Sequence, residues 1–403
     1  LKKFYLLGCG KTTKAIATTF NIENIYDDRE IQNDSQCIHS SKFPENLTDN
    51  DFLIPTPAIP PHHKIVKKFG NNIYSEYDIF ALNNKIVYSI WVSGTNGKTT
   101  TTSMITHLLS DRGAVSGGNI GVPLGELPQN ANIWVLETSS FSLHYSNIAS
   151  PNLYVLLPIS DDHKSWHGSF EEYEQSKLKP LKTIKEGEVA IIPDKYKNLD
   201  TNGYIISYKD AIDLANRFEI NINKIKFKGK FLLNAVLALA TSKVLFDEVN
   251  YEKINSFIKA PHRQEEVLDQ NGRIWINDSK ATNPDSTLAF IEGFDRSKRL
   301  LLIIGGEDKD ADWNEMFQIF SQLNIKLFSI GKSMNKVSGL AEKYNIFYIN
   351  SENIQNAVIE ISKEHDGINS VAVLSPASAS FDQFKNYEDR GSQFRELVKN
   401  LKV

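Results

Sequence analysis

The chain reads as an α/β protein built on parallel sheets. Short β-rich runs alternate with helical periods through nearly its whole length. Two apolar strands run straight into Gly-Lys-Thr-Thr turns, "LLGCGKTT" at 6–13 and "VSGTNGKTTTTSM" at 92–104, the form of a strand leading to a phosphate-binding helix start. At 403 residues the chain is long for one domain, and about 150 residues per domain suggests two or three.

Three segments emerge. The first, 1–84, opens on the strand "FYLLG", continues through "NIYDD" and "DFLIPTP", and ends at the polar stretch "LNNK". The second, 85–260, carries the strands "IVYSIWVSG", "NIWVLE", "NLYVLL", "EVAIIP" and "GYIISY". It closes on "KFLLNAVLALATSKVLF", where Leu233, Val236, Leu237, Ala240 and Val244 recur at helical spacing. The third, 261–403, follows the proline break in "KAPHRQEEV" and alternates "RIWIN", "RLLLIIGG", "KLFSIG" and "SVAVLSP" with helical stretches. The expected architecture is three domains: a Rossmann-like first domain, a central P-loop ATPase-type parallel sheet and a Rossmann-like third. Ligands of such sheets bind beyond the carboxyl ends of the strands.

Composition narrows the function. With 41% hydrophobic and 23% charged residues, the chain is globular, and its formal charge of −4 argues against a nucleic-acid binder. No apolar run reaches the roughly 18 residues of a membrane span, and the start lacks a signal-peptide pattern. Cys9 and Cys37 fit a reducing compartment and have no metal-type spacing. The expectation is a soluble cytoplasmic protein.

Of the two glycine turns, the second is the better triphosphate site. A full Walker A loop reads G-x-x-x-x-G-K-[ST], and neither turn has the leading glycine, since Val92 and Tyr5 stand there. Gly94-Thr95-Asn96-Gly97-Lys98-Thr99 nonetheless keeps the working parts. Its glycines let backbone N–H groups face phosphates, Lys98 can neutralise the outer phosphates, and the Thr99 hydroxyl can bind Mg²⁺. Glu137, ending "NIWVLE", is an acid where a nucleotide-bound Mg²⁺ needs an oxygen. In the first turn, Gly8-Cys9-Gly10-Lys11 lacks the third glycine of a dinucleotide fingerprint. Asp27 and Asp28 still end the next strand near the usual distance of about 20 residues for a ribose-binding acid. That suggests a cradle for a nucleotide diphosphate, the alternative being a tight turn without a ligand.

Further on, "SDDHKSWHGSFEEYEQSKLK" gathers Asp161, Asp162, His163 and His167, an acid–histidine group suited to a metal, ahead of a helix containing Lys177. By spacing, Lys177 reads as a solvated helix lysine. "PHRQEE" supplies Arg263, and "WINDSKATNPDS" packs Asn277, Asp278, Lys280, Thr282 and Asn283 after a strand. "GGEDKDADW" adds Lys309, and "SPASASFDQFKNYEDRG" adds Ser380, Phe381 and Tyr387.

Taken together, "GTNGKTT", "GGNIGVP", "LETSSF", "DDH", "KLK", "PHRQEE", "NDSKATN" and "SPASASFDQFKNYEDRG" resemble the Mur ligases across all three segments. "NDSKATNPDS" and "SPASASFDQF" resemble the D-glutamate-adding branch. The "DNPR" signature of the diaminopimelate-adding branch is absent from the sequence.

The resemblance implies an ATP-dependent amide ligase acting through an acyl phosphate, with UDP-N-acetylmuramoyl-L-alanine and D-glutamate as substrates, in a monomer of three lobes. It implies that Gly94, Thr95, Asn96, Gly97, Lys98, Thr99 and Thr100 hold ATP, with Asn234, Arg263 and Asp278. Two Mg²⁺ would be held by Thr99, Glu137, His163 and Lys177, the last carbamylated by CO₂, and the catalytic set would be Lys98, Glu137, His163 and Lys177. Gly8, Cys9, Gly10, Lys11, Asp28, Arg29, Thr56 and Asn119 would meet the UDP-substrate. Lys280, Thr282, Lys309, Ser380, Phe381 and Tyr387 would surround D-glutamate.

Departures from the family pattern touch two places. The loop before the central helix reads "GKFLLN", one residue shorter than usual and without its histidine, which bears on Asn234. "IPTPAIP" has Ala58 where glycine is usual, and "DDR" puts Asp28 and Arg29 at the uracil side. Rival readings are weaker. A GTPase switch needs a guanine-reading N-K-x-D, which the sequence lacks. An NAD-dependent oxidoreductase leaves the P-loop unexplained. A folylpolyglutamate-type ligase usually reads "GTNGKGS" where Thr99-Thr100 stand here.

Overall fold

The computed structural model describes residues 2–31, 34–308 and 311–401, the side chains of Lys230 and Glu292 aside. These residues build three sheets. The chain divides into two compact units, one of Leu1–Phe227 with Phe231–Phe257, the other of Lys228–Lys230 with Ile258–Val403.

The first unit holds two sheets. The smaller is four-stranded and parallel, built from β1 (Lys3–Leu7), β2 (Ile25–Asp27), β3 (Cys37–His39) and β4 (Asp51–Pro55) in the order β3-β2-β1-β4. The larger contains β5 (Ser89–Ser93), β6 (Ala114–Gly118), β7 (Ile133–Glu137), β8 (Leu153–Leu156), β9 (Val189–Pro193) and β10 (Tyr204–Tyr208). All pair in parallel in the order β10-β9-β8-β5-β7-β6. Strand order reverses at β5, so a crevice opens beyond its carboxyl end, between the ends of β7 and β8.

Alternation along these strands decides which face each residue covers. Ile90 and Val92 point with Val135 and Val155 toward helices Lys98–Leu108 and Lys230–Phe246. Trp91, Trp134 and Tyr154 point the other way, joining Tyr77, Phe80, Leu6 and Ile16 in one continuous core. Both faces are buried, which is why these strands read as near-continuous apolar runs rather than alternating ones. Helix Lys230–Phe246 is buried nearly all round along Asn234–Ser242, not on one face alone, because it enters the core between other helices.

The second unit has one six-stranded sheet of β11 (Glu265–Leu268), β12 (Ile274–Asn277), β13 (Arg299–Gly305), β14 (Ile325–Ile330), β15 (Phe347–Glu352) and β16 (Ser370–Leu374). The order is β11-β12-β16-β13-β14-β15, with β11 antiparallel at one edge. Leu300, Leu302 and Ile304 face one core and Leu301 and Ile303 the other.

Four strands escape the sequence reading: β3, β6, β11 and β15. They sit at sheet edges, where exposure on one side permits polar and glycine residues such as those of "AVSGG" and "FYINSE". Cys9 and Cys37 also come together, joined as a disulfide with Cα atoms 6.1 Å apart, where composition suggests two thiols in a reducing compartment. Among the described residues no helix is long and apolar enough to cross a membrane.

Candidate active site

The P-loop follows β5. Gly97 has φ +83°, and a Cβ there would lie 2.7 Å from both Asn234 Oδ1 and Leu157 Cδ2, so the loop can pass only with glycine. The helix Lys98–Leu108 starts immediately after, directing its first N–H groups and positive dipole end out of the sheet edge. Lys98 Nζ donates to the carbonyls of Gly94 (2.9 Å) and Thr95 (2.8 Å). Thr95 is held from outside the loop: its hydroxyl donates to the Ser160 carbonyl at 3.0 Å and lies 2.9 Å from the Tyr173 hydroxyl. Asn234 is buried behind the loop and accepts from the Thr101 hydroxyl at 3.3 Å.

Parallel register carries Glu137 to the same edge, since Val92 of β5 pairs with Glu137 of β7. The carboxylate is 3% exposed, and its Oε1 accepts from Asn119 Nδ2 at 2.7 Å. Its Oε2 is buried with no hydrogen-bond partner. A buried carboxylate oxygen without a donor is costly, and a cation is what satisfies such an atom. Asn119 is fixed on both sides, its own N–H donating to the Glu137 carbonyl at 2.9 Å.

The β8 exit leads to His163, which stands at φ +54° ahead of the short helix Lys164–His167. Its N–H donates to Asp162 Oδ1 at 2.8 Å, and its Nε2 lies 3.4 Å from Asp162 Oδ2. Helix Phe170–Thr183 then returns Lys177 into this crevice. The solvated lysine that spacing suggests is wrong: Lys177 is 1% exposed, and its Nζ donates to the Gly94 carbonyl at 2.8 Å. Burial holds its pKa well below the lysine range, Lys98 adds to that, and Asp162 and Glu137 oppose it. The residue looked like surface because its neighbours in sequence are polar, and helical phase alone did not reveal which face turns inward.

The smaller sheet gathers the first glycine turn. Gly8 has φ +88°, and a Cβ there would meet Thr56 Cγ2 at 2.1 Å, which puts Gly8 and Thr56 in direct apposition. Cys9 N–H donates to Asp27 Oδ2 at 2.6 Å, and Arg29 grips the same carboxylate through Nε and Nη2, both at 2.9 Å. Arg29 holds the Asp27 carboxyl well below the usual range. Asp28 instead turns to Ser40 and to His63 Nε2 (2.8 Å). Of the two strand-end acids, Asp27 is thus the one at the loop, a distinction that adjacency in sequence could not make. Lys11 is exposed at the start of helix Lys11–Phe20.

In the second unit, the loops after β12 and β16 come together. Lys280 Nζ lies 3.9 Å from the Tyr387 ring centroid, the Thr282 N–H donates to the Lys280 carbonyl at 2.8 Å, and Ser279 Oγ donates to the Tyr387 carbonyl at 2.8 Å. Ser380 is buried, its carbonyl accepting from Gln383 and Phe384 N–H, whereas Phe381 is 67% exposed. Asp278 accepts from Ser375 Oγ at 3.0 Å and Gln264 N–H at 3.3 Å. Burial nevertheless pushes its pKa up to about 7, against these bonds and the charge of Arg263. Lys309 lies outside the described residues.

Residues 92–232 match the Mur ligase middle domain. Over 406 residues the chain is 46% identical to the UDP-N-acetylmuramoylalanine–D-glutamate ligase of Campylobacter jejuni strain RM1221, covering 99% of this chain and 100% of that protein. The chain belongs to the Mur ligase family. The ligase of the same name from Helicobacter pylori strain 26695 is 38% identical, over 98% of this chain and 99% of its own. Among solved structures, the Mur ligase MurF from Thermotoga maritima in complex with ADP aligns at a TM-score of 0.59 and 15% identity. That alignment covers 98% of this chain and 94% of that one, a likeness of fold. Within the Mur ligase frame, sequence reasoning missed Tyr173, whose partner Thr95 lies 78 residues away along the chain.

Proposed function

We infer that the chain is the ATP-dependent ligase that joins the amine of D-glutamate to the carboxylate of UDP-N-acetylmuramoyl-L-alanine, a step in making peptidoglycan precursors. The full-length likeness to D-glutamate ligases supports the choice of substrates. The observation that carries the chemistry is the meeting of three groups at one sheet edge: the P-loop, the unpartnered Oε2 of Glu137 and the buried amine of Lys177.

A carboxylate is a poor electrophile, so it must be activated before an amine can attack. The substrate carboxylate attacks the γ-phosphorus of ATP, giving an acyl phosphate and ADP. The D-glutamate amine then adds to the acyl carbon, and phosphate leaves. In this reading the P-loop N–H groups and Lys98 hold the phosphates, with Lys98 leaving the Gly94 and Thr95 carbonyls to reach them. Thr99, Glu137, His163 and a carbamylated Lys177 would hold two Mg²⁺, which fits the orphaned carboxylate oxygen and the depressed lysine pKa. Bound there, the ions supply charge neutralisation for the approach of two anions. Asn119 fixes the Glu137 carboxylate for that task.

We assign residues 1–84 to the UDP-substrate, 85–260 to ATP and 261–403 to D-glutamate, the last through Lys280, Thr282, Lys309, Ser380, Phe381 and Tyr387. A chain carrying all three lobes suits a monomer, and its nucleotide-linked substrates suit the cytoplasm. The test is phosphate release from ATP in the presence of UDP-N-acetylmuramoyl-L-alanine, with and without D-glutamate. Release that depends on both supports the reading. Release indifferent to D-glutamate, or strongest with another amino acid, overturns it.

A further inference from the structure

Arg390 projects from helix Tyr387–Lys399 into the interior of the second unit, where its side chain is fully buried. No carboxylate of the described residues forms an ion pair with it. Its nitrogens are shared instead between two loops. Nε donates to Ser279 Oγ at 3.0 Å, and Nη2 donates to the Ser279 carbonyl at 2.8 Å. Across the gap, Nη2 and Nη1 both donate to the Ser378 carbonyl at 3.1 Å, and Nη1 reaches the Ala379 carbonyl at 3.3 Å.

The two loops are those of "NDSKATN" and "SPASAS". Ser279 immediately precedes Lys280, and Ala379 immediately precedes Ser380. A planar guanidinium with donors in a fixed fork sets the distance between two carbonyl groups more rigidly than an ammonium can. Burying a cation without a direct ion pair is expensive, and packing alone would favour an apolar side chain. Burial lowers the Arg390 pKa to about 9 against the opposing pull of the Asp382 carboxylate, which leaves the group charged at neutral pH.

We propose that Arg390 is the positioning residue of the D-glutamate site: it staples the Lys280 loop to the Ser380 loop and places a positive charge, held by carbonyl and hydroxyl oxygens, beside the two loops assigned to a dicarboxylate amino acid. The proposal rests on the assignment of those two loops to D-glutamate. It adds that the preference for an acidic amino acid comes in part from a charge that never touches the substrate.

The test is steady-state kinetics of the full chain with each substrate varied in turn. Arg390→Gln removes the charge, and Arg390→Lys keeps the charge while losing the fork. Arg390→Gln should raise KM for D-glutamate by about tenfold or more, with KM for ATP and for UDP-N-acetylmuramoyl-L-alanine changed less than about twofold, and Arg390→Lys should recover part of the loss. Should Arg390→Gln not fold, Ser279→Ala removes one acceptor of the staple and should show the same selective rise, smaller in size. An equal rise in all three KM values, or an unchanged D-glutamate KM in a folded variant, overturns the proposal. Arg390→Lys no better than Arg390→Gln overturns its charge component. Failure of the unaltered protein to respond to D-glutamate is a separate result, and removes the underlying assignment.

Discussion

Lys177 Nζ donates a 2.8 Å hydrogen bond to the Gly94 carbonyl, linking a buried amine on one helix to the first glycine of the P-loop. The pair brings a basic nitrogen within reach of the nucleotide loop while burial and the Lys98 charge disfavour its protonation. A neutral amine is what CO₂ needs, since carbamate formation uses the nitrogen lone pair and releases a proton.

Lys177→Ala should therefore be nearly inactive and partly rescued by added short-chain carboxylates, which can occupy the carbamate's place. Phosphate release measured over a series of carboxylate concentrations checks this. Full activity of the variant without added acid would exclude the role, as would an unmodified Lys177 in a high-resolution structure with both Mg²⁺ and the substrates bound.

Lys98→Ala should lower turnover by about 10²–10³, the usual effect of removing one preorganised charged contact to a reacting group. Binding of the UDP-substrate, followed by calorimetry, should stay close to normal because its glycine turn lies on a different sheet. A variant keeping more than about a tenth of normal turnover would contradict the phosphate-binding role.

Asp78 should be a structural hinge-pin of the first unit. It closes the capping box of helix Glu76–Leu82 with Ser75, and its carboxylate also accepts from the N–H groups of Asn147, Ile148 and Ala149. Asp78→Ala leaves those amides without their acceptor and should destabilise the unit by about 3 kcal/mol or more. Urea unfolding gives the value, and a loss below about 1 kcal/mol would show that water replaces the carboxylate.

Glu76 supplies a pH dependence. Its Oε1 accepts from the Leu124 N–H at 2.7 Å, yet burial pushes its pKa from 4.5 up to about 8. Between those values the folded state keeps a proton that the unfolded state has lost. The contribution to stability is thus fully present below about pH 4.5, falls as pH rises, and is lost through pH 8. Glu76→Gln keeps an acceptor for Leu124 without the ionisation, so its Tm advantage over the unaltered protein should grow from pH 5 to pH 8. Parallel Tm curves would exclude the assignment.

Apolar runs and glycine turns were enough to read the α/β class, the strand-to-helix P-loop and the two glycine turns. These are local: a buried parallel strand must be apolar on both faces, and a phosphate loop needs glycine where the backbone turns at positive φ. Motif resemblance carried the family. Lys177 and Asp27 mark the limit. Whether a helix lysine is solvated or buried depends on what packs over that helix, and here it is Gly94, 83 residues away in sequence. Which of two adjacent acids faces a loop depends on strand pleat and on Arg29 and Cys9 N–H meeting Asp27. Arg390 is the same lesson at greater range: nothing in "YEDRG" singles it out, and its role exists only because Ser279, Ser378 and Ala379 are folded onto one guanidinium. Desolvation and long-range hydrogen bonding are set by residues distant in the chain, so they become visible only once the sheets have brought those residues together.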